Sequence, residues 1–178
     1  MNALADELLR IILGPFFDVP EADFAYNGSV SPFSKVPQSV AELLRVCKRW
    51  MRFATPLLYS TVVIRTRAQA AALNMALTNN TEFGGYVRRL RLEGVFGEFI
   101  TPDVINTMPN VRQMCFPINM LAKDDTDGLL AAFGLFHLER VVLLSLPQYR
   151  YLQNGAINQF IANLANAIPA WHNLVSLA

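Results

Sequence analysis

The chain is short of nearly everything that announces chemistry. Its two cysteines, Cys47 and Cys115, stand 68 positions apart with no second cysteine or histidine near either. That argues against a disulfide framework or a zinc site and fits a reducing compartment. The two histidines are as isolated. His137 precedes a strand-like run and His172 sits beside Trp171, neither at ligand spacing, so both read as surface or turn residues. Asp124, Asp125 and Asp127 with Gly128 open like a calcium loop, but the glutamate at its twelfth position is missing, and capping of a helix explains them better. Gly84-Gly85 lacks the lysine and hydroxyl of a phosphate loop, and no serine lies in a Gly-x-Ser-x-Gly elbow. No catalytic residue, metal or cofactor is expected, and an enzyme is the least favoured reading.

Charge of one sign is also lacking. Fifteen basic and fourteen acidic residues leave +1, which gives no global electrostatic case for nucleic acid or an anionic membrane. No apolar run approaches the roughly 18 residues of a membrane helix. Asp6 and Glu7 stand where a secretory signal would be basic, so Asn27-Gly28-Ser29 and Asn79-Asn80-Thr81 read as polar turns rather than glycosylation sites. A cytoplasmic or nuclear protein is the expectation. What the chain does have is apolar content, 53% of 178 residues, enough to fold one domain or a small module plus part of another.

The most organised stretch is Leu43 to Tyr59. Leu43, Val46, Cys47, Trp50, Phe53, Ala54, Leu57 and Leu58 recur at helical steps, with Arg45, Lys48, Arg49 and Arg52 on the opposite side. Ser39 with Glu42 has capping-box spacing, predicting one helix from there to about Ala54 that Thr55-Pro56 breaks. Cys47 reads as a small core hydrophobe and Trp50 as internal. Upstream, Leu4, Leu8, Ile11 and Ile12 share one face of a helix over residues 4–17, with Asp6 and Glu7 in its first turn and Gly14-Pro15 ending or bending it.

Leu-Leu-x-Val-Cys-Lys-Arg-Trp followed by Phe-Ala-Thr-Pro-Leu-Leu-Tyr resembles the second half of an F-box. Leu4-Ala5-Asp6-Glu7-Leu8-Leu9-Arg10-Ile11-Ile12 resembles its first half, with alanine where the family usually carries proline. The chain also departs from the family between the halves. Residues 18–38 form an inserted loop with Pro20, Pro32 and Pro37, rich in aromatics (Phe24, Tyr26 and Phe33, with Phe16 and Phe17 just before it). These rings are expected to tack the loop onto its own domain rather than reshape the adaptor-facing surface.

After Tyr59 the pattern alternates. Thr61–Ile64 reads as a strand, Thr66 to Gln69 as a capping box opening a helix to about Thr78, and residues 86–92 as a second strand. Val87-x-x-Leu90-x-Leu92 returns as Val111-x-x-Met114-x-Phe116, as Leu138-x-x-Val141-x-Leu143 and as Leu174-x-x-Leu177, at steps of 24, 27 and 36. Helical segments follow: one opened by Thr101-Pro102-Asp103, one at Asp124–Asp127, and one over residues 153–168. The returns are similar to irregular leucine-rich repeats, whose units bury their faces against one another. A compact doubly wound α/β domain is the alternative. The last apolar strand has no capping unit, which suggests C-terminal truncation.

The expected fold is therefore mixed α/β: an N-terminal helical F-box over residues 1 to about 59, then a short leucine-rich-repeat-like solenoid of parallel strands and helices over 60–178. The resemblance implies a substrate receptor. Leu4, Leu8, Leu9, Ile11, Leu43, Leu44 and Val46 would dock onto the Skp-type adaptor of a cullin–RING ubiquitin ligase, and the strand face would hold a target protein. Arg89 and Arg91, which alternate with Leu90 and Leu92, are candidate target contacts for an acidic ligand. A ligase-independent interaction scaffold is the second reading.

Overall fold

The computed structural model describes residues 5–28, 30–34, 40–94, 96–118, 126–144 and 155–177, with 41, 155–157 and 177 in backbone only. Five strands, β1 (Thr61–Ile64), β2 (Arg89–Leu92), β3 (Gln113–Pro117), β4 (Arg140–Leu144) and β5 (Ser176–Leu177), form one parallel sheet in sequential order. Thr61, Arg89, Gln113, Arg140 and Ser176 lie in one row across it. From Arg89 onward that row steps by 24, 27 and 36 positions, the steps at which the Leu-x-x-Leu-x-Leu pattern returns. Thr61 adds one more unit in front. Successive units are also stitched just before the strands, where the N–H groups of Arg88, Arg112, Glu139 and Val175 donate to the carbonyls of Ser60, Arg88, Arg112 and Glu139.

Between the strands run α4 (Arg67–Asn79), α5 (Pro102–Asn106), α6 (Asp127–Leu135) and α7 (Gly155–Ala167). Leu90, Met114, Phe116 and Val141 of the sheet share one core with Leu73 and Leu77 of α4, Ile105 of α5, Phe133 of α6 and Phe160 of α7. All four helices thus cover the same face. Sequential strand order with helices on one side excludes the doubly wound alternative, which needs an order reversal and helices on both faces. The β2 and β3 positions of the repeat, with Val87 and Val111 before them, are buried as the pattern requires.

Local chemistry fixes where these helices begin. The Thr66 hydroxyl accepts from Gln69 N–H at 3.2 Å, and Gln69 Oε1 accepts from Thr66 N–H at 3.2 Å. Thr101 caps α5 with Pro102 in its first turn. Thr126 stands at the cap position of α6 without a side-chain bond; Asp127 lies in the first turn, and Asp124 and Asp125 fall outside the described residues. Gly128 permits the next packing step, since a Cβ there would run into the Ile100 carbonyl.

The N-terminal unit consists of α1 (Asp6–Phe17), a 3-10 segment at Val40–Arg45 and α3 (Lys48–Ser60). The expected single helix through Leu43–Ala54 is corrected to two segments. Cys47 adopts an extended backbone, and its sulfur accepts from Trp50 N–H as the N-cap of α3. Cys47 is accordingly exposed rather than a core residue. Periodicity missed the break because the apolar phase carries across it. Pro56 does not end α3 either. The missing N–H costs one backbone bond, but Ala54, Leu57 and Leu58 pack against α1 and Tyr59 stacks on Phe83 at 4.7 Å. That packing outweighs the lost bond. Gly14-Pro15 likewise falls within α1, which ends after Phe17. Ser60 leads directly into β1, so the front helices and the sheet share one continuous element junction.

Residues 18–28 leave α1 and cross the face of the sheet away from α4–α7, where they form the short α2 (Glu21–Phe24), and residues 30–34 carry a 3-10 turn at Pro32–Ser34. The expected tacked-down loop is found there, although its main anchor is the sheet rather than the front helices.

Candidate functional site

Two surfaces stand out, and the first is the outer side of α1. Leu9, Leu13 and Phe17 recur at four-residue steps and close a core with Ala54. Val40, Leu43, Leu44, Trp50, Phe53, Leu57 and Leu58 pack half-buried around them. On the other side Leu8, Ile11, Ile12 and Phe16 are 49%, 69%, 48% and 58% exposed. A surface helix normally turns polar residues outward; this one turns four large apolar side chains outward. Asp6 fixes its N-terminal end against α3 by accepting from Arg49 Nε at 3.0 Å and pairing with Arg52 at 3.2 Å. Arg49 is thus partly drawn into an internal tie, while Arg45, Lys48 and Arg52 stay on the solvated stripe.

The seven expected docking residues separate accordingly. Leu8, Ile11 and Val46 are exposed. Leu43 and Leu44 lean on the internal core. Leu9 is sealed inside it and cannot touch a partner, which corrects its assignment. Leu4 lies outside the described residues. Ile12 and Phe16 were missed as docking residues, although they continue the Leu8 series at four-residue steps. The face that Leu8, Ile11 and Ile12 share is the outward one.

The second surface is the face of the sheet away from α4–α7, where Arg89, Arg91, Cys115, Arg140, Val142 and Leu144 meet described residues of the 18–34 segment. Phe24 is fully buried there against Cys115, Val142 and Leu144. Arg89 donates to Thr61 Oγ1 at 2.9 Å and to the Val19 carbonyl at 2.7 Å, and its guanidinium lies over the Phe24 ring. Arg91, 2% exposed, donates to the Phe24 carbonyl at 2.6 Å and to Glu93 at 2.8 Å. Glu93 also receives Arg65 at 3.0 Å and the Ser31 hydroxyl at 2.7 Å. Glu21 is gripped by Arg140 on one side and lies 3.5 Å from Arg89 on the other. The expectation that Arg89 and Arg91 stand free for a target is therefore corrected. They do share a face, as the alternation predicts, but they hold the chain's own inserted segment.

Burial pushes the Cys115 thiol from 9.0 up to about 12, against the opposing pull of Arg91. A group raised in the folded state adds stability that is intact below its unfolded value and lost as pH climbs toward the folded one. The unfolding free energy is therefore expected to fall above about pH 9, by up to about 1.4 kcal/mol per unit from this group. Cys115→Ala should remove that part of the slope in urea titrations between roughly pH 8 and 11. Equal slopes in the two chains would mean the thiol ionises normally.

Among the described residues no three histidine, cysteine, aspartate or glutamate side chains gather as metal ligands, and no helix is long and apolar enough to cross a membrane. His137 and His172 are both exposed. No protein-family model, curated protein or solved structure matches the chain.

Proposed function

We propose that this chain is the substrate-recognition subunit of a Skp–cullin–F-box ubiquitin ligase. Its front helices would dock on the Skp-type adaptor and its repeat unit would hold a target protein. The observation that carries the reading is the apolar outer side of α1, which lies within the first half of the F-box-like motif. The sequential parallel sheet, one-sided helices and steps of 24 to 36 residues support reading the remainder as a short leucine-rich-repeat solenoid. The chain would do no chemistry of its own. It would raise the local concentration of a target lysine near the conjugating enzyme.

Docking of this kind is helix-in-groove burial. Each Leu or Ile taken out of water contributes roughly 1.5–3 kcal/mol, so Leu8 and Ile11 together would account for much of a micromolar complex. Leu8→Asp with Ile11→Asp is expected to weaken capture by purified Skp-type adaptor at least a hundredfold. Leu8 is half exposed and Ile11 largely so, and neither belongs to the buried core, so the far-UV circular dichroism should hardly move and the thermal midpoint should fall only slightly. Undiminished capture by this folded double variant would remove the docking assignment. Failure of the unaltered chain to bind adaptor would favour the ligase-independent scaffold.

A further inference from the structure

We infer that the face of the sheet away from α4–α7 is a binding site for an acidic–aromatic peptide segment, and that residues 18–34 occupy it in cis as a displaceable stand-in for a partner. This names the kind of target the proposed receptor takes and rests on that reading only for its setting. The binding itself is tested without the adaptor.

The bonding of the inserted segment is that of a bound peptide. The backbone N–H groups of Asp18, Asp23, Phe24, Ala25 and Tyr26 bond back to Gly14 or within the segment, and none joins the sheet. Attachment is chiefly through side chains of the sheet, with Asn27 Nδ2 also donating to the Leu143 carbonyl of β4 at 3.1 Å. Arg89 and Arg91 donate to the carbonyls of Val19 and Phe24, Arg89 and Arg140 flank the Glu21 carboxylate, and Phe24 packs against Cys115 and Val142. The recognised unit is therefore a carboxylate followed three positions later by an aromatic ring, with main-chain carbonyls nearby.

The fit is incomplete. Gln113 Oε1 and Arg140 Nε, on neighbouring strands, are buried without a hydrogen-bond partner among the described residues, and Arg140 is also the residue that grips Glu21. Buried polar atoms ordinarily find partners, so a segment that supplies a donor to Gln113 and an acceptor to Arg140 would hold the face better than the one now there. Ala22 and Tyr26 are exposed along the outer side of the segment, and no residue of the segment belongs to the helix-side core, so lifting it breaks its ties to Arg89, Arg91, Arg140 and the Leu143 carbonyl without opening that core.

Cys115 reports the lifting, because its thiol lies against the Phe24 carbonyl at 3.3 Å beneath the segment. In a full chain carrying Cys47→Ser it is the sole thiol. Two measurements are required. In that chain, Ellman's reagent should reach Cys115 at least tenfold faster than the slowest core amides exchange with deuterium. Separately, a fluorescein-labelled peptide of residues 18–34 should bind the full chain carrying Glu21→Ala and Phe24→Ala at least tenfold more tightly than the unaltered chain. The same peptide carrying Glu21→Ala and Phe24→Ala should bind neither. Labelling no faster than global unfolding would overturn the inference. So would equal or absent peptide binding, or loss of the cooperative fold in the doubly substituted chain, since each makes the segment a fixed part of the core.

Discussion

Arg91→Met is expected to destabilise the chain by about 3–5 kcal/mol, the cost of removing one partner from a buried ion pair. Methionine keeps much of the arginine stem and its packing, so the loss is chiefly electrostatic. Three groups lose a partner at once: the Glu93 carboxylate, the Phe24 carbonyl and the Phe33 ring. Glu93 retains Arg65 and Ser31, which keeps the cost from rising further. Against a typical total of about 5–15 kcal/mol, this is a third or more of the stability. Urea unfolding should show it as a lower midpoint at unchanged slope. Arg89→Met is the control. Its carboxylate partners are 74% (Asp18) and 46% (Glu21) exposed, so solvent screens those pairs and the cost should be smaller. Adding Glu93→Gln to Arg91→Met should recover part of the loss, because it removes the charge left behind. If Arg91→Met unfolds within about 1 kcal/mol of the unaltered chain, Arg91 is not the anchor its bonds indicate.

What could be read from the sequence was local or repetitive. Thr66-Arg67-Ala68-Gln69 is a capping box wherever it occurs, because both bonds close within four residues. The pattern from Val87 onward returned at the steps of the strand register because each strand pairs in parallel with the next and points the same pattern positions into one helix-covered core. By contrast, α1 is apolar nearly all round, and periodicity cannot say which side of such a helix is the inner one. Leu9, Leu13 and Phe17 won only because Ala54 and its neighbours lie opposite them. The alternation that put Arg89 and Arg91 on one face was legible. Their occupants were not, since Val19 and Phe24 lie 70 and 67 positions away along the chain. Pro56 shows a third limit: a local helix breaker yields when packing on both sides of it favours continuing.

Phe133→Ala is expected to cost about 3–5 kcal/mol, as large-to-small replacements of buried aromatics do, and to do so unevenly along the chain. Phe133 is the hub of the C-terminal units. Its ring lies 5.3 Å from Phe116 of β3, 5.4 Å from Phe160 of α7 and 5.8 Å from Trp171, while its carbonyl accepts from the Trp171 indole at 3.1 Å. Truncation leaves the carbonyl in place but empties the space that couples α6 to α7. In the proposed repeat stack, where stability resides between neighbours, weakening one junction frees the units beyond it. The last unit, α7 and β5, should therefore loosen before the rest. Trp171 is its built-in reporter once Trp50→Phe silences the other indole. In the Phe133→Ala chain the Trp171 fluorescence transition in urea should precede the far-UV transition, whereas the two coincide in the parent. Coincident transitions in both would show that the C-terminal unit unfolds only with the whole sheet, and that the aromatic cluster adds stability without dividing the stack.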